Sequence, residues 1–460
     1  MPDAPTTAPP GSPPDLITTL TSRGYHVALF VAGLVGVPIG LIAFGFLALV
    51  NKCETWVWQS LPADAGWSKP PAWYAMLVLG FAGLLVGLVV ARLPGRGGHL
   101  PVKGLAGDPP RPIDLPGIAL AAFASLVLGA VVGPEGPLTA LGGGLVGWAA
   151  GHTRLKQSPQ GMKILILAGS AAAIATIFGN PLVAAVLMLE VVGFAGAGPV
   201  LVVVLPALVA AGTSGLIFTG LGNWTGLTVQ SLTIPGLPAA HLDWADVLWT
   251  VPLAVLTAVG AQLARRLGLF AAGFVGRQLI VLTAVAGLFV GGCAAVYTWT
   301  TNRSVTDVLQ SGQAALPNLV SSPHSWAIGT LLLLLLFKGV AYGVSLGSFR
   351  GGPTFPAIFL GAALGILLGP LPGLGITAGI GIGMAAATTA MLRLPITSVV
   401  LVVLLLGNEA ASEIPVVMLS SAVALVTAVA LDGYGHRKHT PTAANPAPAD
   451  EPKRADLSGS

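Results

Sequence analysis

Apolar runs broken by short polar connectors set the reading of this chain. Residues 25–50 and 73–90 form the first two runs, and further ones lie at 200–217, 247–265, 279–299 and 326–344. Each is long enough to supply the roughly 17–25 residues of helix that cross a bilayer, so each predicts a membrane span. The runs at 164–177 and 181–192 are shorter, and Gly179-Asn180-Pro181 separates them. From Thr354 onward the short pattern returns, with breaks at Gly369-Pro370-Leu371-Pro372-Gly373, Leu394-Pro395 and Ile414-Pro415. Backbone interrupted in this way lies at membrane depth only where protein buries it or a wet cavity borders it, so these segments predict half-helices around an interior site. The stretch 301–325 is polar enough to predict a loop outside the membrane. Residues 1–24, Pro-rich and without the basic and apolar regions of a signal peptide, and residues 433–460 predict disordered tails around a transmembrane domain spanning 25–432.

Composition turns this pattern into a class. Hydrophobic residues make up 54% of the chain and charged ones 8%, against about 25% charge in soluble domains, so the fold class is an all-α polytopic membrane protein. The net charge of +4 comes from basic connectors: Arg92, Arg96, Lys103 and Arg111, then Arg154, Lys156 and Lys163, then Arg265, Arg266 and Arg277. By the positive-inside bias these connectors and both termini face the cytoplasm, and no nucleic-acid partner is implied. Trp56, Trp58, Trp67 and Trp73 read as an interfacial belt in the lipid bilayer. Gly36-x-x-x-Gly40 and Gly83-x-x-x-Gly87 are close-packing spacings with no specific message. Cys53 and Cys293 are too far apart in sequence for a metal knuckle, and the seven histidines form no H-E-x-x-H set. With no G-x-S-x-G or phosphate-binding loop either, neither an enzyme nor a metal or other cofactor is expected.

Two stretches carry the chemistry. Gly133-Pro134-Glu135-Gly136-Pro137 returns 219 positions later as Gly352-Pro353-Thr354-Phe355-Pro356, and the windows 133–142 and 352–361 agree at five positions. A second pair, 171–181 and 385–395, repeats at an offset of 214. Two homologous halves follow, about 70–220 and 280–432. Pro137 and Pro356 suit a first helical turn, where a missing N–H would be unpaired anyway, so each motif reads as a loop followed by a helix start. A helix start near the midplane aims unpaired N–H groups and about half a positive charge inward, and so attracts anions. A pair of ordinary Pro-kinked helices is the plainer alternative.

Glu135 stands out, because a carboxylate at a membrane helix centre costs at least about 2.5–3.5 kcal/mol. At the mouth of an anion-binding helix it can occupy the site as a tethered anion and leave when protonated, or it can complement its own helix dipole. Glu190 reads as a cap, an ion-pair partner or a water-facing group. Lys338, after six leucines and a phenylalanine, reads as a cation that sets the field of a pore or snorkels.

These residues resemble the CLC chloride channel and transporter family over about 25–431, in the prokaryotic form without CBS domains. Gly133-Pro134-Glu135-Gly136-Pro137 resembles the family's G-K/R-E-G-P loop with its gating glutamate, and Gly351 to Ala362 its second G-x-F-x-P loop and helix. Gly97-Gly98-His99-Leu100-Pro101 is a weakened G-S-G-I-P loop, and Arg393-Leu394-Pro395-Ile396-Thr397 resembles R-x-P-L-T. The resemblance implies a homodimer in the bacterial inner membrane, each subunit holding its own anion path inside an inverted repeat of tilted and broken helices. It makes Glu135 the gate and proton acceptor, sets Gly98, Gly136, Thr354 and Phe355 around a chloride substrate, and puts Glu190 and Val191 on the inner path.

Departures from the family pattern shape the expected function. Gly98 stands where a serine hydroxyl binds the anion, Pro134 and Pro353 remove two N–H donors, and Thr354 in place of phenylalanine adds a hydroxyl. Tyr434 is a poor positional match for the family's central tyrosine, and Val191 replaces the inner glutamate of exchangers. Chloride permeation gated by Glu135, passive or loosely coupled to protons, is therefore expected. Proton/chloride exchange with another inner proton route, through Glu190 or water, is the alternative, and a non-transporting membrane scaffold or intramembrane enzyme is a third reading.

Overall fold

The computed structural model of the chain describes residues 16–105, 109–152, 158–194, 200–225, 234, 237–238 and 242–439. In chain order the helices of the first half are α1 (Leu16–Thr21), α2 (Arg23–Thr55), α3 (Leu61–Asp64), α4 (Ala72–Arg92), α5 (Leu115–Val127), α6 (Glu135–Gly151), α7 (Pro159–Ile177), α8 (Pro181–Phe194) and α9 (Val200–Thr225). The second half holds α10 (Trp244–Val275), α11 (Leu279–Thr301), α12 (Leu316–Ser321), α13 (Ile328–Ser348), α14 (Thr354–Leu368), α15 (Ile376–Leu392), α16 (Pro395–Leu406) and α17 (Ala410–His439). Eight helical stretches are long and apolar enough to cross a membrane, and four more are apolar but shorter. This is an integral membrane protein of full spans and half-helices.

The halves repeat in their packing. α6 lies on α7 as α14 lies on α15, α8 on α9 as α16 on α17, and α7 on α9 as α15 on α17. The repeat is wider than 70–220 and 280–432, because α2 packs on α7 and α9 just as α10 packs on α15 and α17. Each half thus begins one helix earlier, where the two sequences no longer match. Small residues allow the closest approaches. A Cβ on Gly83 would lie 2.2 Å from the Thr283 carbonyl oxygen in α11, and one on Gly36 2.0 Å from the Thr213 hydroxyl in α9. Both G-x-x-x-G spacings are therefore real contacts between helices.

Four expectations change. α7 is a full span, not a half-helix: Ser158 caps it by accepting the Gly161 N–H (3.2 Å), so helix begins before the apolar run does. Pro415 lies inside α17, and the break falls instead at Gly407, whose φ of +59° favours glycine. The stretch 301–325, expected as a loop outside the membrane, is a packed segment rather than an open one, since Val305, Val308, Leu309, Leu319 and Val320 are all fully buried. Residues 16–21 and 433–439, expected in the tails, are helical; the rest of both tails lies outside the described residues.

Lys338 explains the buried stretch. Its Nζ donates to the carbonyls of Asp307 (3.1 Å), Val308 (3.1 Å), Leu309 (3.0 Å) and Gln310 (3.4 Å), and it sits 4.5 Å from the Phe359 ring centroid. A turn of inward-pointing carbonyls needs one buried donor with several protons, and an ammonium supplies it. Lys338 is therefore a structural hub and does not snorkel.

Basic connectors gather on one face. Arg265 and Arg393 both bind Asp432 (3.1 and 2.7 Å), and Gly268 of α10 packs against Val102. Lys103 and Arg111 border the same cavity as Lys163. Arg154 and Lys156 lie outside the described residues.

Candidate anion site and carboxylate gate

The two repeated motifs meet. Gly133 N–H donates to the Gly352 carbonyl (2.8 Å) and Gly352 N–H to the Gly133 carbonyl (2.6 Å), the one isolated β-bridge among the described residues. Reciprocal antiparallel pairing of equivalent residues places a local two-fold axis between the halves. Pro134 and Pro353 follow as N-caps, and α6 and α14 start at Glu135 and Thr354. Pro137 and Pro356 occupy the first turn of each helix, as their missing N–H groups suggest. The glycines are needed because the backbones nearly touch: a Cβ on Gly136 would lie 2.6 Å from the Gly351 carbonyl oxygen.

The Glu135 side chain crosses the axis. It is fully buried, and its Oε1 accepts the backbone N–H of Thr354 at the start of the opposite half's helix. The Phe355 N–H also acts on this carboxylate, while the Phe355 ring packs 5.5 Å from Phe178. The Thr354 hydroxyl acts on the same carboxylate, and both it and the Glu135 Oε2 are fully buried. A tethered carboxylate thus sits on the positive end of α14, where charge-assisted bonds are each worth about 1.5–3 kcal/mol. Gly133 and Gly352 make the cradle: a Cβ on Gly352 would lie 2.2 Å from Glu135 Cδ. Gly352→Ala is accordingly expected to evict the carboxylate and to give an anion flux insensitive to pH. A variant that keeps the pH response of the parent in a liposome flux assay contradicts the cradle.

Openings approach Glu135 from both ends of α5 and α7. A cavity of about 830 Å³ is lined by Asp114, just before α5, and Ile118 of α5, by residues 159–174 of α7, and by Gly136 and Pro137. A smaller one of about 60 Å³ is lined by Leu126 at the end of α5, Ile177 at the end of α7, and Pro134. The larger cavity, inner only by its place on the side of the basic connectors, carries His99, Lys103, Arg111 and Lys163 against one carboxylate, Asp114, which is tied to Arg111 (3.2 Å). That balance draws anions inward. Burial, Lys103 and Arg350 together hold the His99 imidazole below its ordinary pKa, which favours its neutral form.

Other expected residues fall into place unevenly. Gly98 borders the inner cavity, but its N–H closes a turn onto the Gly95 carbonyl (2.8 Å), so it offers neither a side chain nor that donor. Positive φ angles at Gly95, Arg96, Gly97 and Gly98 form this turn. Glu190 is a cap: its oxygens accept Ile396 N–H (3.0 Å), Thr397 N–H (2.8 Å) and the Thr397 hydroxyl (2.6 Å) at the start of α16. Val191 lines the inner cavity. The Tyr434 side chain lies outside the described residues.

Two neighbours escape sequence reasoning. The buried Tyr342 hydroxyl donates to the Pro353 carbonyl (2.6 Å), fixing the loop before α14. Arg350, 7% exposed and without a carboxylate partner among the described residues, bonds the Arg96 carbonyl through Nε and Nη2 (both 3.3 Å) and the Phe349 carbonyl through Nη1 (3.2 Å). It ties the 95–98 turn to the second motif and leaves a fixed positive charge behind it. Its signal was an ionisable residue directly before Gly351-Gly352-Pro353, by the same cost argument that marked Glu135.

Converging helix starts, a crossing carboxylate and a basic inner cavity define a membrane protein that handles anions. A family model described as voltage gated chloride channel matches residues 105–429, and the chain belongs to that family. It is 26% identical over 347 residues to the ion-transport candidate YfeO of Salmonella paratyphi A, covering 73% of this chain and 78% of that one. The Escherichia fergusonii YfeO is 28% identical over 340 residues, with coverage of 73% and 77%. Among solved structures the fold resembles a slow cyanobacterial Cl−/H+ antiporter (TM-score 0.73, 21% identity, 88% of this chain and 95% of that one). It also resembles a CLC-type fluoride/proton antiporter (TM-score 0.66, 20% identity, 88% and 96%).

Proposed function

We propose that this protein conducts chloride or a similar small anion, passively or loosely coupled to protons, with Glu135 as the gate. The supporting observation is the Glu135 carboxylate bonded to the Thr354 N–H at the start of α14. While charged, it holds the place an anion would take. Protonation removes the charge that this helix start attracts, so the side chain leaves and an anion from the inner cavity takes over the Thr354 and Phe355 N–H groups. The buried Thr354 hydroxyl, which faces the carboxylate in the closed gate, then donates to that anion. Thr354→Val is expected to weaken halide binding by about fivefold, the worth of roughly one hydrogen bond; unchanged affinity and selectivity would sink this role.

Loose coupling is favoured by what the inner cavity contains. Val191 is apolar and Asp114 is paired with Arg111, while Glu190, engaged as a cap, does not line the cavity. Exchange is the second reading, and His99 favours it: this imidazole borders the inner cavity with a buried, unpartnered Nε2 that can carry a proton. Purified protein in liposomes separates the two. Anion flux without uphill proton movement is expected, and protons driven uphill by a chloride gradient would establish exchange. No flux from folded protein would favour a scaffold. The basic face is assigned to the cytoplasm of a bacterial inner membrane, and a homodimer with one path per subunit belongs to the same proposal.

A further inference from the structure

The small cavity on the far side of the gate holds an ionisable residue that the gating scheme does not use. Glu54, in the last turn of α2, lines it together with Asn51, Gln310, Ser311 and Gln313, and Pro134 closes it next to Glu135. The volume of about 60 Å³ admits a few waters, since one needs about 10–15 Å³. The Gln310 N–H bonds the Gly129 carbonyl (3.0 Å), and Lys338 holds the turn before it, so this wall is built rather than loose. A π-helical turn, Trp56–Ser60, follows Glu54 directly and is anchored by the Trp58 indole N–H on the Val127 carbonyl (3.1 Å). Such turns cluster at functional sites.

The Glu54 side chain makes no hydrogen bond or ion pair to a described residue. No other charged or titratable side chain lines the cavity. Lys52, two positions earlier, is exposed. Among the elements packed on α2, α5 and α7 have Asp114 and Lys163 only at their inner ends, α6 has Glu135 and, past its far end, His152, and the described part of α9 has none. Asp307, in the neighbouring turn, accepts from the Tyr297 hydroxyl (3.4 Å). A carboxylate without a partner at the end of a spanning helix, facing a wettable cavity beside the gate, is placed to handle protons.

We propose that Glu54 and the waters of this cavity are the proton port of the gate. Glu54 takes a proton from the outer medium and passes one through water to the Glu135 carboxylate, then regains a proton from outside; no electrons move and the protons balance. This rests on the reading of Glu135 as the gate, because a port matters only if Glu135 must be protonated.

A double-mutant cycle in liposomes tests it, with chloride flux measured at acidic external pH for the parent, Glu54→Gln, Glu135→Gln and the double variant. Glu54→Gln keeps the shape and removes the titration. It is expected to lower flux by about fivefold or more in the parent background, as removal of a positioned proton donor does, and to change nothing in the Glu135→Gln background. Glu54→Asp, which keeps an acid there, restores most of the flux. Equal flux with and without Glu54→Gln in both backgrounds overturns the port. So does an equal loss in both, which would make Glu54 a structural or steric element of the outer mouth. A parent protein with no chloride flux at all would instead reject the gating reading itself, and size-exclusion profiles of all four proteins confirm that each compared sample is folded.

Discussion

Glu135→Ala is expected to raise chloride flux at neutral pH by about 10- to 100-fold and to erase its pH dependence. The closed gate is a charged group held by backbone donors: Oε1 takes the Thr354 N–H, and the carboxylate lies buried over Gly133 and Gly352. Charge-assisted bonds of about 1.5–3 kcal/mol bias the site towards its tethered anion by roughly that factor of 10 to 100. As pH falls, protonation weakens the tether and flux rises in the parent protein. Without a carboxylate the site stays open at every pH. Glu135→Gln, which keeps the volume, is expected to lose the pH response as well. A pH response retained in both variants would mean that the gate lies elsewhere.

Lys338→Met carries the largest expected loss of stability. Methionine nearly matches the stem of the lysine but leaves four inward-pointing carbonyls, from Asp307 to Gln310, without their donor. Unsatisfied buried groups cost about 1–3 kcal/mol each, so the variant should lose at least about 3–5 kcal/mol. The same turn continues into Gln310–Gln313 on the wall of the smaller cavity, so the local damage should reach that side of the gate. A thermal melt in detergent, read by size exclusion, checks this. Melting indistinguishable from the parent would contradict the hub.

Much of the arrangement was legible in the sequence because membrane insertion and helix starts obey local rules. Run lengths fixed most spans, and the five matching positions of the two Gly-Pro motifs anticipated that equivalent helix starts would meet. Prolines at the first turns located those starts to within a turn. The reading of Glu135 as a tethered anion needed only the cost of its charge, and the structure places its carboxylate on the opposite helix.

What escaped depended on contacts between distant segments. The polar stretch 301–325 looks solvated until Lys338, in another element, is seen to gather its carbonyls. Glu190 reads in sequence as a cap, an ion-pair partner or a water-facing group, and only the packing of α8 near α16 shows that it caps. Gly98 keeps its place beside the cavity but spends its N–H on a turn that four consecutive positive φ angles create, which no single-residue propensity foretells. α2 and α10 hold equivalent places in the two halves through packing alone.

Chloride binding measured by calorimetry across a pH series tests the central claim most directly, since the claim is that Glu135 and the anion compete for one helix start. The account predicts that binding to the parent protein tightens as pH falls, and that Glu135→Gln binds more tightly than the parent at neutral pH with no pH dependence. Equal, pH-independent affinity in both proteins would contradict it.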